Sequence, residues 1–71
     1  MTTKIDGEVI RARRRALGLS QASLARRVGL DQPSISRLEK GEFVPPVAVL
    51  DRVAAALRLR LTIRFDPLDG P

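Results

Sequence analysis

Apolar residues recur at helical spacing from residue 9 to residue 57, and at alternating spacing after that. Asp6 is a suitable helix cap, with Glu8 placed for the helix dipole. The first helix then runs to about Leu17 and stops at Gly18, with Val9, Ile10, Ala16 and Leu17 as its apolar positions. Ser20 opens a second helix, where its hydroxyl can accept from the Ser23 amide. Leu24, Ala25 and Val28 share one face before Gly29 ends it. Asp31 caps a third helix over 32–40. Pro33 sits in its first turn, where no amide proton is required; Ile35 and Leu38 turn inward, and Gly41 stops it. Pro45 and Pro46 introduce a fourth helix over 46–57, with Val47, Leu50, Val53, Ala54 and Leu57 as its inner stripe.

From Leu59 the pattern changes period. Leu59, Leu61, Ile63 and Phe65 alternate with Arg60, Thr62 and Arg64, which predicts a half-buried strand over 59–65. A lone strand leaves its amides and carbonyls unpaired, and the chain offers no second good strand. The expected partner is the same segment of another copy: a homodimer with an antiparallel intersubunit sheet, in which Leu59, Leu61, Ile63 and Phe65 cover the joined core. The predicted organisation is a loosely packed 1–5, a helical domain over 6–58, a dimerisation strand over 59–65 and a polar tail over 66–71.

Composition narrows the chemistry. Seventy-one residues make one small domain with a thin core. There is no cysteine and no histidine, which removes disulfides, thiolate metal sites, the commonest metal ligand and the commonest general base. No glycine-rich phosphate loop or metal-spaced carboxylate cluster occurs, and the serines have no nearby base to activate them. An enzyme, a cofactor and a metal are not expected. No apolar run approaches a membrane span and no leader pattern opens the chain, so a cytoplasmic, nucleoid-associated protein is expected. The net charge is +5, and eleven of the thirteen basic residues are arginine, which favours a polyanionic partner. With two Phe and no Tyr or Trp, stacking on single strands is poorly served, and duplex DNA is the better match. In "RARRR", residues 11–15, Arg11 and Arg15 read as a solvated helix face.

Residues 21–40, "QASLARRVGLDQPSISRLEK", resemble the helix-turn-helix of the phage-repressor (Cro-like, XRE) family. Ala25 matches the small residue at the helix contact and Gly29 the turn glycine. Leu24, Val28, Leu30, Ile35 and Leu38 match the buried positions. The flanks "LGLSQ", "RLEKG" and "VLDRVAAAL" extend the likeness over roughly residues 7–59. The resemblance implies an all-α fold of four to five helices with 32–40 as recognition helix, whose N-terminal part enters the major groove. Gln32, Pro33, Ser34, Ser36 and Arg37 would face the bases, Gln32 pairing with adenine and Arg37 with guanine. Gln21, Ser23, Lys40 and the Gly41 amide would touch phosphate, which fixes register without reading sequence. Arg14 and Glu39 match an ion pair between the first and third helices. Pro33 and Asp31 depart from the usual polar residue and Ser or Thr at those positions.

The four or five helices with a short C-terminal strand also resemble the HipB-like antitoxins, which repress their own operon and bind a toxin encoded beside them. Only "DPLDGP" follows Phe65, so the likeness does not extend to a long toxin-plugging tail. The expected function is a sequence-specific, homodimeric autorepressor on an operator with inverted-repeat half-sites, in an antitoxin-type role with a toxin partner. The alternatives are a standalone, prophage or restriction-modification controller, or a protein-interaction module.

Overall fold

A computed structural model of the chain describes residues 6–69; the expectation of a loose 1–5 and the last two residues of the 66–71 tail lie outside it. Four helices follow one another: α1 (Gly7–Ala16), α2 (Gln21–Val28), α3 (Gln32–Glu39) and α4 (Val47–Ala56). Each of the first three starts where a side-chain oxygen meets a free amide. Asp6 Oδ1 accepts from Glu8 N–H at 3.1 Å, Ser20 Oγ from Ser23 N–H at 3.0 Å, and Asp31 Oδ1 from Ser34 N–H at 2.9 Å. Pro46 opens α4 without a side-chain cap.

All four helices leave by the same Schellman geometry. The amides of Leu19, Leu30, Glu42 and Leu59 each donate to the carbonyl five residues earlier, at 2.8–3.0 Å. The residue before each of these amides has a positive φ. Three are glycines, including Gly29 at 78°, which reverses the chain between α2 and α3 within residues 29–31. The fourth is Arg58 at 55°, an L side chain in a backbone region that disfavours it.

The core is built from Ile10, Leu24, Ala25, Val28, Ile35, Leu38, Leu50, Val53, Ala54 and Leu57. Leu19, Leu30 and Phe43 pack partly buried against it. The stripe that α1 buries is Gly7, Ile10 and Arg14. Val9, Ala16 and Leu17, expected as apolar contacts, are exposed, because they lie off that stripe. Val47 in the first turn of α4 is also exposed. Gly7 sits where α1 meets the end of α3. A Cβ there would lie 2.6 Å from the Leu38 carbonyl oxygen and closer still to that of Glu39.

The tail departs from expectation. No strand forms among the described residues, and 59–67 carry no regular secondary structure. A ladder needs a second segment, and none is supplied among the described residues. Leu59 and Leu61 pack half-buried on their own chain's core. Ile63 is 56% exposed and Phe65 99% exposed, so the single chain does not place the four expected dimerisation residues on one covered face. The intersubunit sheet is therefore not a feature of this structure. Among the described residues no helix is long and apolar enough to cross a membrane.

Candidate nucleic-acid interface

α3 is amphipathic in an unusual sense. Its inner face is Ile35, Leu38 and the charged Glu39, all buried; its outer face is polar except for the ring of Pro33. Gln32, Pro33 and Arg37 are exposed, and Ser34 and Ser36 half-buried. These five are the residues expected to meet bases. They occupy one surface because the other side of α3 packs against α2 and α1.

Beneath that surface runs a chain of polar contacts. Gln32 Nε2 donates to Gln21 Oε1 at 2.6 Å, and Gln21 Nε2 donates to Glu39 Oε1 at 3.1 Å. Arg14 then meets the same carboxylate with two bonds: Nη2 to Oε1 at 3.0 Å and Nε to Oε2 at 2.6 Å. Its remaining nitrogen, Nη1, donates to the Leu19 carbonyl at 2.8 Å. The planar fork of an arginine suits this task, and a lysine could not make the three contacts in one plane. The ion pair expected between the first and third helices is thus present and buried. Burial by itself would raise the Glu39 carboxyl, but the bonds from Arg14 and Gln21 outweigh it and hold the group below its ordinary range. The Glu39 bond raises Arg14 above the usual guanidinium value. Both members stay charged near neutral pH.

The chain of contacts fixes the geometry of the outer face. Gln21 stands at the first position of α2 and Gln32 at the first position of α3, so their bond ties the two helix starts together. One of the two Nε2 protons of Gln21 is spent on Glu39, and the other is free to reach a phosphate oxygen. Asp31, expected to cap, does so. Its bonds from Ser34, side chain before backbone, lower its carboxyl. Lys40 is exposed directly after α3. The Gly41 amide donates to the Leu38 carbonyl at 3.1 Å as part of the helix exit, which leaves the Lys40 side chain as the unspent donor there. Ser23 is half-buried, with its amide in the Ser20 cap.

Three contributors escaped the sequence reading. Phe43 lies under Arg37, with the guanidinium carbon 5.3 Å from the ring centroid; a cation–π contact of this kind ties the Arg37 guanidinium to the segment that follows α3. Arg13 Nε donates to the Leu57 carbonyl at 2.9 Å, and Arg52 Nε to the Val28 carbonyl at 3.2 Å. Each places a cation on the negative end of a helix. Nothing in the local sequence marks these pairs, because their members lie 44 and 24 residues apart. Among the described residues no group of three or more Asp or Glu side chains could hold a metal.

Comparison with known proteins agrees with this architecture. Residues 10–63 match the helix-turn-helix family HTH_3. An uncharacterized HTH-type transcriptional regulator from Methanothermobacter thermautotrophicus is 45% identical over 49 residues, which cover 69% of this chain and 71% of that one. Antitoxin HigA1 from Mycobacterium tuberculosis is 41% identical over 59 residues, covering 80% of this chain and 40% of its own. The chain spans less than half the length of several relatives, down to 21% of the phage P22 repressor protein C2. Among solved structures, the P22 c2 repressor in complex with a synthetic operator superposes with a TM-score of 0.76 at 38% identity, covering 82% of this chain and 88% of that one. The restriction-modification controller protein C.AhdI from Aeromonas hydrophila superposes at 0.70 and 33% identity, covering 76% and 78%. The matched residues span most of the chain and include every residue of the polar face and the buried ion pair described above: the protein belongs to the HTH_3 (XRE) family of helix-turn-helix transcriptional regulators.

Proposed function

We propose that this protein is a sequence-specific duplex-DNA-binding repressor of its own gene. The observation that carries the reading is the outer face of α3, where four polar residues flank Pro33, anchored from below by the Gln32–Gln21–Glu39–Arg14 contacts. Gln32 and Arg37 read adenine and guanine edges, Ser34, Ser36 and Pro33 fill the groove, and Gln21, Ser23 and Lys40 set the register on phosphates. The role is one of binding and not of catalysis. The test is anisotropy titration of the DNA upstream of its own gene against a scrambled duplex. Gln32→Ala and Arg37→Ala should each lose about 1–3 kcal/mol of discrimination with helicity intact. Wild-type binding that does not distinguish the two duplexes would sink the reading.

The repressor acts as a homodimer on an inverted repeat, with half-sites about 34 Å apart. Two features support this. An apolar hollow of about 220 Å³ opens between α1, α4 and the start of the tail, with Val9, Ile10, Leu50 and Val53 among its walls. The same chain carries Ile63 and Phe65 in water. A second copy that brings its tail to this side covers both, and pairing of the two 59–65 segments supplies the ladder that one chain lacks. Ile63→Ser with Phe65→Ser leaves Leu59 and Leu61 on the core. The double variant should have monomer mass by light scattering where the wild type has dimer mass; a dimer that persists refutes this route.

The likeness to HigA1 supports an antitoxin role with a toxin partner, and the likeness to the P22 repressor and to C.AhdI supports a standalone controller. Co-purification with the product of the adjacent gene separates them.

A further inference from the structure

Beside the recognition face lies a second hollow, this one polar and of about 210 Å³, walled by α1, α3 and the start of α2. Its lining includes Arg11, Arg15, Lys40, Gln21 and Ser36, with the Arg14–Glu39 pair as its floor. Arg11 and Arg15 stand one turn apart on α1, so they face the hollow as neighbours. Among the described residues neither they nor Lys40 makes an ion pair or a side-chain hydrogen bond. Two carboxylates line the hollow: Glu39, which is bonded by Arg14 and Gln21 and feels Arg11 only through space, and Glu8, which makes no ion pair among the described residues. Three cations without a bonded partner against one unpaired carboxylate, beside the Ser36 hydroxyl and the Gln21 amide, form a receptor for an anion.

We infer that this hollow seats a DNA backbone phosphate, so that α1 takes part in binding through Arg11 and Arg15, whose pattern in the sequence reads only as a solvated face. The inference rests on the DNA reading of α3 and extends its footprint. The position of the hollow argues for a phosphate of the same duplex. Ser36 belongs to both the hollow and the recognition face, and Gln21 in the hollow bonds Gln32 on that face, so a duplex lying along α3 passes over it. The contact is one of register and charge. It adds affinity equally on all sequences and carries no base information.

The test uses the full chain and two duplexes, the upstream DNA and a scrambled one, titrated by anisotropy at several salt concentrations. Arg11→Ala with Arg15→Ala should weaken binding to both duplexes by the same factor. It should also flatten the slope of log K against log salt by about 0.9, the value for one phosphate contact. Both residues are exposed, so thermal melting should be unchanged. Arg11→Lys with Arg15→Lys keeps the charges and should restore most of the slope. Arg26→Ala with Arg27→Ala removes the same charge from exposed residues that do not line the hollow, and should change the slope less. An unchanged slope in the first variant, or an equal loss in the Arg26/Arg27 variant, overturns the phosphate seat. In either case a wild type that still prefers the upstream DNA leaves the reading of α3 standing. A wild type that binds neither duplex overturns both.

Discussion

Removing one partner of the Arg14–Glu39 pair should destabilise the fold far more than removing both. Glu39 is 5% exposed and Arg14 7%. Arg14→Met leaves the Glu39 carboxylate buried with only the Gln21 amide, and leaves the Leu19 carbonyl without its Nη1 donor. Breaking a buried pair from one side costs about 3–5 kcal/mol. A 71-residue domain has roughly 4–11 kcal/mol in total at ~0.05–0.15 kcal/mol per residue. Each single variant should therefore lose a large share of its stability. Arg14→Met with Glu39→Leu removes the uncompensated charge along with the pair, and such exchanges are neutral to stabilising by about 1–4 kcal/mol. The double variant should thus unfold at higher urea than either single one. The assay is urea denaturation followed by far-UV circular dichroism, since the chain has no Trp or Tyr to report by fluorescence. Single losses below ~1 kcal/mol, or a double variant whose loss equals the sum of the singles, would refute the reasoning. The single variants should also lose DNA affinity without touching DNA, because Gln21 and α3 lose their anchor.

Three further outcomes follow from the same geometry. Gly7→Ala forces a methyl against the Leu38 and Glu39 carbonyls, which are backbone and cannot swing away; a loss of about 1–3 kcal/mol in urea titration is expected, and an unchanged midpoint would contradict the close approach. Arg58→Gly removes an L residue from positive φ, and should raise stability by several tenths to about 1 kcal/mol; a lower melting temperature would show that the Arg58 side chain has a role its exposure does not reveal. The carboxyls of Glu39 and Asp31 are both lowered by folding, so their contribution is full above the ordinary values of 4.5 and 3.8 and is lost as pH falls below them. Melting temperature should therefore drop below about pH 4.5, and Glu39→Gln should show a shallower drop; identical acid profiles would remove Glu39 from the account.

Local chemistry is what the sequence displays best. The caps at Asp6, Ser20 and Asp31 and the exits at the glycines are decisions made within a turn of chain, and they appear where expected. The helix-turn-helix face was legible for a related reason. A three-residue turn between two short helices leaves little freedom in how α3 lies, so inward and outward residues follow from spacing. α1 shows where this fails. Its aliphatic residues predict one stripe, and the helix buries another, Gly7, Ile10 and Arg14. A glycine permits close approach and an arginine finds a buried carboxylate, and neither is visible as hydrophobic period.

The sequence by itself determined the helix boundaries, the basic charge and the polar outer surface of α3; the Arg14–Glu39 pair came from the family resemblance. Each depends on local propensity or on a residue pattern carried along the chain. Tertiary structure alone decided the rest. Arg13 and Arg52 close distant helix ends and Arg11 and Arg15 border a hollow with residues far along the chain, while Phe43 supports Arg37 through the fold of the loop after α3. The tail makes the same point in reverse. Its alternation specifies which side chains turn inward, but a strand exists only with a partner to receive its amides. Residues 59–67 of a single chain therefore remain without one.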